Sequence, residues 1–206
     1  METSKCILAR RSVRKYSNCE ISDSELEKII TSGIYAPSAK NRQPWHFYII
    51  NDKKTKLSIV NNMKQGMETL YKKYLARNIV RSEILNAKNS LVSMKESSAI
   101  IFIACEKKYK QSYDDGVNWY MSATDMEVTD VLSIGAAIQN ILLTATELGY
   151  GTLWICDIFY SYPEIIEFLN TDYAILSAIC IGKSSENTKR TSRNSYKSVT
   201  TFIRKD

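Results

Sequence analysis

Arg10, Arg11, Arg14 and Lys15 fall within the seven residues RRSVRKY (10–16), with Ser12 between them. Like charges this close repel, and each long side chain loses rotamer freedom if it is fixed. The cluster is either a solvated turn or the seat of an anion whose charge offsets the repulsion. A second stretch, APSAKNRQPWHF (36–47), also carries usable chemistry. Pro37 and Pro44 stiffen it, Ser38 and the backbone donate, and Asn41 and Gln43 offer donor–acceptor edges for a planar heterocycle. The bland reading is a loop that ends a helix with ordinary turn residues.

Much other chemistry is excluded. The single histidine, His46, rules out a multi-histidine metal site and suits a structural imidazole at a strand start. No G-x-x-x-x-G-K-[ST] loop is present, and the close pair Gly149/Gly151 follows a helical stretch instead of opening one. Cys6, Cys19, Cys105, Cys156 and Cys180 are odd in number and widely spaced, which reads as reduced thiols of a cytoplasmic protein. A chain so poor in acids, bases and nucleophiles in suggestive arrangement borrows its chemistry from a cofactor.

The net charge of +6 is unevenly placed: residues 1–19 carry +4, residues 183–206 carry +5, and the stretch between them sums to −3. Nucleic-acid binders more often spread positive charge along a face that tracks phosphates. Two basic ends converging on one small anion account for this split, as do two solvated tails. No apolar run reaches a membrane span, and the start METSKCILARRS lacks the apolar stretch of a signal peptide.

The elements that must position these residues follow from local pattern. SDSE (22–25) is a capping box, with Leu26, Ile29, Ile30 and Ile34 at helical spacing behind it. HFYIIND (46–52), SAIIFIAC (98–105), GTLWICDI (151–158) and YAILSAICIG (173–182) read as strands, and SVTTFI near the end as a further one. Residues 53–96 are polar and helical in flavour, a surface excursion or flap. Residues 124–148 form a long apolar core helix stopped by Gly149, and Ser161 with Pro163 opens a short helix through Leu169. The expected whole is one α+β domain over 1–206, a sheet covered by helices.

RRSVRKY, APSAKNRQPWHF, the helix ending in AAIQNILLTATELGYGTLWI and the Arg193–Ser195 region of the tail together resemble the FMN-dependent nitroreductase family. The likeness spans nearly the whole chain, with 53–96 matching least. It implies a sandwich with a mostly antiparallel central sheet, built as an intertwined homodimer with two FMN sites at the subunit interface. Arg10, Arg11, Ser12 and Arg14 resemble the first flavin motif, Arg10 on the phosphate and Arg14 near the pyrimidine edge. Pro37, Ser38, Ala39 and Asn41 resemble the segment contacting the same flavin from the partner, with Gln43 supporting it. Ile155, Cys156 and Asp157 occupy the stretch against the isoalloxazine, though Cys156 and Asp157 stand where small glycines are frequent. Arg193 matches a tail arginine that closes on phosphate, with Lys189 or Arg190 replacing a second basic residue. Asn89 is a candidate for an asparagine that reads the ring.

The implied activity is hydride transfer from NADH or NADPH through flavin N5 to an electron-poor small molecule such as a nitroaromatic or quinone, in ping-pong order and without a metal. Tyr71, Tyr74, Tyr113, Trp119 and Tyr120 are candidate pocket walls or packing residues. The competing reading is a non-catalytic basic module for nucleic acid or another anionic partner, motivated by the charge and thirteen tyrosines. The tyrosines are scattered and no recognition-helix pattern accompanies them, so neither nucleic acid nor membrane is expected as a partner.

Overall fold

The structure is a computed structural model that describes residues 2–77, 82–106 and 128–204, without the side chains of residues 82, 85 and 86. Four strands, β1 (Trp45–Ile50), β2 (Ala99–Cys105), β3 (Gly151–Ile155) and β4 (Ala174–Gly182), form one antiparallel sheet in the order β1-β2-β4-β3. The central strands are covered on both faces, so AIIFIAC is apolar throughout and every one of its residues is buried. Alternate residues serve opposite faces. Ile101 and Ile103 meet α2 (Asp23–Ile34) and α5 (Val128–Glu147), through Leu26, Ile29, Ala137, Ile138 and Ile141. Ile100 and Phe102 meet α3 (Lys53–Ala76), α4 (Ser82–Glu96) and α6 (Tyr162–Leu169), through Ile59, Met63, Met67, Met94 and Ile165. Each large aliphatic or aromatic side chain so buried contributes roughly 1.5–3 kcal/mol.

Local signals account for the helix ends. Ser22 caps α2 with both halves of its capping box formed, Glu25 N to Ser22 Oγ at 3.3 Å and Ser22 N to Glu25 Oε2 at 3.1 Å. The Ser22 hydroxyl, and Tyr150 OH at 2.9 Å, hold the Glu25 carboxyl below its ordinary range. At the end of α5, Gly149 takes a left-handed φ of 77°, and Lys183 Nζ donates to the carbonyls of Leu148 (3.3 Å) and Gly149 (3.2 Å). A cation there complements the helix dipole. α5 is long and apolar enough to cross a membrane by composition, but Ile134, Ala137, Ile138, Ile141, Leu142 and Ala145 pack into the core.

The elements differ from expectation in four places. Residues 53–96 are no surface excursion, since α3 and α4 bury Ile59, Met63, Met67, Ile84 and Met94 in the core. A short helix, α1 (Thr3–Ala9), precedes the basic cluster, where no element was anticipated. β3 stops at Ile155, because Cys156 turns to φ −106°, ψ −17° and Asp157–Ser161 form a 3₁₀ turn. The SVTTFI segment is no strand within this chain. Its start lies in the 3₁₀ turn Tyr196–Ser198, and 199–203 pair with nothing in the sheet. Residues 124–127 of the anticipated helix, with Tyr113, Trp119 and Tyr120, lie outside the described residues.

Candidate functional site

The basic cluster is laid along the outer edge of the sheet. Ser12 bridges Thr152 of β3 in parallel fashion, Val13 N donates to Thr152 O at 2.9 Å, and Tyr16 bridges Ser184 beyond β4. Two glycines facing each other across β3 and β4 make this possible. A Cβ on Gly151 would stand 2.7 Å from Val13 Cγ2, and one on Gly182 would stand 2.8 Å from Tyr16 Cδ1. Val13 and Tyr16 are therefore buried while Ser12, Arg14 and Lys15 are exposed. Tyr16 OH donates to Val13 O at 2.7 Å. Burial, reinforced by Cys180 and Glu186, drives its phenol well above the usual range and keeps it a neutral donor.

The cationic groups are presented unevenly. Arg11 folds back on its own backbone, its guanidinium donating to Leu8 O (2.6 Å) and Arg10 O (2.7 Å). Arg10 is half-buried and, among the described residues, has no ion-pair partner. Arg14 is exposed, and among the described residues its guanidinium makes one long contact, to Ser12 O at 3.4 Å. Three residues that sequence reasoning did not mark complete this edge. Glu186 Oε1 accepts from Arg14 N and Lys15 N, Ser93 Oγ of α4 donates to Arg14 O at 2.9 Å, and Ser90 Oγ of α4 donates to Asp157 Oδ2 at 2.9 Å. Asn89, exposed on α4, is their sequence neighbour. No local signal marks Ser90, Ser93 or Glu186, since each acts on a residue at least 67 positions away.

At the end of β3 the three anticipated residues part company. The Ile155 side chain is core, only 2% exposed, so only its backbone can face a ligand. Cys156 is exposed, with its thiol pushed up by partial burial and then by the Asp157 charge. Asp157 is half-buried, and burial raises its carboxyl above the ordinary carboxylate range against the opposing Ser90 hydrogen bond. Its Oδ1 is buried and, among the described residues, has no hydrogen-bond partner.

Residues 37–43 sit elsewhere, leading into β1 at the opposite edge. Three strand spacings separate β1 from β3, about 14 Å. Lys40, Asn41 and Gln43 all adopt left-handed backbone, with φ of 54°, 53° and 48°. Ser38 Oγ accepts from Gln43 N at 3.0 Å, Ala39 N donates to Ser133 Oγ at 3.3 Å, and Gln43 Nε2 donates to Asn41 Oδ1 at 3.3 Å. Arg42, absent from the sequence-derived set, anchors the turn: its guanidinium donates to Thr129 Oγ1 (2.7 Å) and to the buried Asp130 Oδ1 (2.6 Å). Pro37 and Asn41 are exposed, and Ser38 and Ala39 are half-buried.

Arg193 is exposed on the tail, bonded to Thr191 Oγ1 and Ser192 O, and is not brought to Arg10 within this chain. Only the start of the tail, Lys183–Glu186, runs beside residues 14–17. Tyr74 is buried core and Tyr71 packs against that core, so neither is a free pocket wall. Among the described residues no His/Cys/Asp/Glu group is suited to a metal.

Comparison with known proteins bears on the family and the fold. A sequence model of the Nitroreductase family matches residues 7–183. A protein of Archaeoglobus fulgidus, provisionally named an NADH dehydrogenase/NAD(P)H nitroreductase, is 34% identical over 154 residues, covering 75% of this chain and 67% of that protein. The crystal structure of a BluB-like flavoprotein from Clostridium difficile 630 superposes with a TM-score of 0.79 at 25% identity, covering 99% of this chain and all of that one. The NADPH:FMN oxidoreductase of Vibrio harveyi, solved with NAD+, shares the fold at a TM-score of 0.71 and 18% identity, over 99% of this chain and 78% of its own. The chain belongs to the nitroreductase family and is an oxidoreductase. The alternative of a non-catalytic basic module falls with that membership.

Proposed function

We propose that the protein is an FMN-dependent oxidoreductase that takes hydride from NADH or NADPH and reduces an electron-poor small molecule such as a nitroaromatic or quinone. The observation that carries the reading is the division of the candidate residues between two sheet edges. An arginine cradle is fixed on β3, and a strained amide-rich loop is fixed before β1. One cofactor touching both takes the cradle from one chain and the loop from another. Exposed apolar residues support such a homodimer: Ile7 and Leu8 on α1, and Val128, Val131 and Leu132 on the first turns of α5. The five free cysteines accord with a cytoplasmic protein.

The donor set fits FMN. The chemistry supplied by bound FMN is hydride exchange at N5 between the nicotinamide and the acceptor. Arg10 and Ser12 bind the phosphate, joined by Arg193 when the tail folds over it, and guanidinium groups bind such dianions with short charge-assisted bonds. Arg11 braces the cradle from within by bonding Leu8 O and Arg10 O. Arg14 places a cation at the pyrimidine edge, where negative charge grows on reduction. Pro37, Ser38, Ala39 and Asn41 meet the ring from the partner chain, with Gln43 holding Asn41. The backbone of Ile155 and the turn at Cys156–Asp157 shield the other side from water. Residues 1–206 serve as one domain, and no side chain forms a covalent bond.

Purified protein should carry the visible absorption of oxidised flavin and sediment as a dimer. NADH or NADPH should bleach it without oxygen, a nitroaromatic or quinone should restore the colour, and double-reciprocal plots should be parallel. A protein that stays colourless and gains no absorbance when incubated with FMN overturns the reading. Intersecting plots overturn the shared pocket and the ping-pong order.

A further inference from the structure

Just past the end of β4, Glu186 turns its carboxylate onto the backbone of the basic cluster. Its Oε1 accepts from Arg14 N at 2.6 Å and from Lys15 N at 3.2 Å. Two successive N–H groups converging on one oxygen make an anion-holding concavity, here filled by the chain itself. The same residue is gripped from its other side, where Ser93 Oγ donates to Arg14 O at 2.9 Å. Glu186 is itself braced: Ser184 Oγ donates to its carbonyl at 2.8 Å and accepts from its N–H at 3.2 Å, while Ser185 N donates to Lys15 O at 3.1 Å.

The informative point is what this carboxylate does not do. It lies against the backbone of Arg14 and Lys15, yet among the described residues it pairs with neither of their charged ends. Ion pairing would consume a guanidinium. Bonding the backbone instead fixes where Arg14 starts from and leaves its charge available to an outside group. We propose that Glu186 is a positioning residue for Arg14, holding the backbone from which that cation projects toward the bound cofactor. This rests on the FMN reading above.

FMN titrated into the apoprotein, followed by its fluorescence, tests this with wild type, Glu186→Ala, Glu186→Gln, Arg14→Met and the Glu186→Ala/Arg14→Met double variant. Loss of a charged acceptor should weaken FMN binding about tenfold in Glu186→Ala. Glu186→Gln keeps an oxygen acceptor for both N–H groups and should stay within about threefold of wild type. Because Glu186 acts through Arg14, adding Glu186→Ala to Arg14→Met should cost less than about twofold more. Additive losses, or a Gln variant as damaged as the Ala variant, overturn the proposal. If Glu186→Ala fails to fold, Ser93→Ala removes the grip on Arg14 O and must show the same non-additivity with Arg14→Met; additivity there overturns it equally. Failure of the wild type to bind FMN is a different result, and it defeats the cofactor assignment itself.

Discussion

Residues 10–16 and residues 37–43 lie at opposite edges of one sheet and are held in unlike ways. The first segment is pinned through its backbone: Val13 N to Thr152 O, Ser17 N to Lys183 O, Ser185 N to Lys15 O. It can lie that close only because Gly151 and Gly182 carry no side chain beneath it. The second segment is pinned through side chains, Ser38, Arg42, Ser133 and the buried Asp130. Those bonds hold three non-glycine residues in left-handed backbone, a conformation costing of order 1–3 kcal/mol at each such residue. Backbone pairing leaves side chains free for a ligand but demands space under the strand. Side-chain pinning tolerates strain but commits polar groups to the turn itself, as Arg42 is committed to Thr129 and Asp130.

The sharpest way to break this contrast is Gly151→Ala. The new Cβ meets the body of Val13, not the tip of a flexible chain, so Ser12 and Val13 must leave β3. Overpacking of this kind costs about 1–3 kcal/mol, and FMN affinity should fall by at least about tenfold as the cradle loses its register. Urea unfolding with FMN titration measures both, and unchanged affinity would mean that the cradle does not depend on its floor.

Asp130→Asn probes the other edge. It keeps the shape of the Asp130 side chain but weakens a charge-assisted bond worth about 1.5–3 kcal/mol. The expected loss is nearer about 1 kcal/mol, because Arg42 is one-third exposed and water takes over part of its solvation. Trypsin should then cut after Lys40 or Arg42 faster than in wild type, with FMN affinity reduced less than in Gly151→Ala. Equal protection from trypsin would show that the turn holds itself without the ion pair.

The smallest effect is expected at Asp157, which is half-buried and bonded to Ser90 of the same helix that holds Arg14 O through Ser93. Burial raises its carboxyl in the folded protein. Its favourable contribution is therefore complete below the unfolded carboxylate pKa and is lost as pH rises through the raised folded value. Asp157→Asn keeps an acceptor for Ser90 and removes that loss. The melting temperature of the variant relative to wild type should rise on going from about pH 4 to about pH 7. A difference that stays flat with pH would place Asp157 in a better solvated setting than the structure shows.

Much of the frame was legible in local pattern. The unbroken apolar runs of β2 and β4, the capping box at Ser22 and the glycine after α5 are each visible within a few residues of sequence, and each formed as read, the strands to within one residue. α1 escaped notice because only Cys6 of its seven residues is buried and no side chain caps it. The SVTTFI segment has strand composition without a strand partner in its own chain, and composition cannot supply one. The apolar run through GTLWICDI concealed the turn at Cys156, since a buried turn and a buried strand look alike in sequence.

The sequence by itself determined which residues carry charge, which faces are apolar, where α2 begins and α5 stops, and, through its resemblance to a known family, the expectation of flavin chemistry. Only the tertiary structure decided that Arg42 anchors its turn on Asp130, and that Glu186, Ser93 and Ser90 complete the edge around Arg14 and Asp157. The physical reason is range. Periodicity and capping depend on neighbours a few residues apart, whereas these choices rest on partners such as Asp130 for Arg42 and Glu186 for Arg14, 88 and 172 positions away, which only the folded sheet brings together.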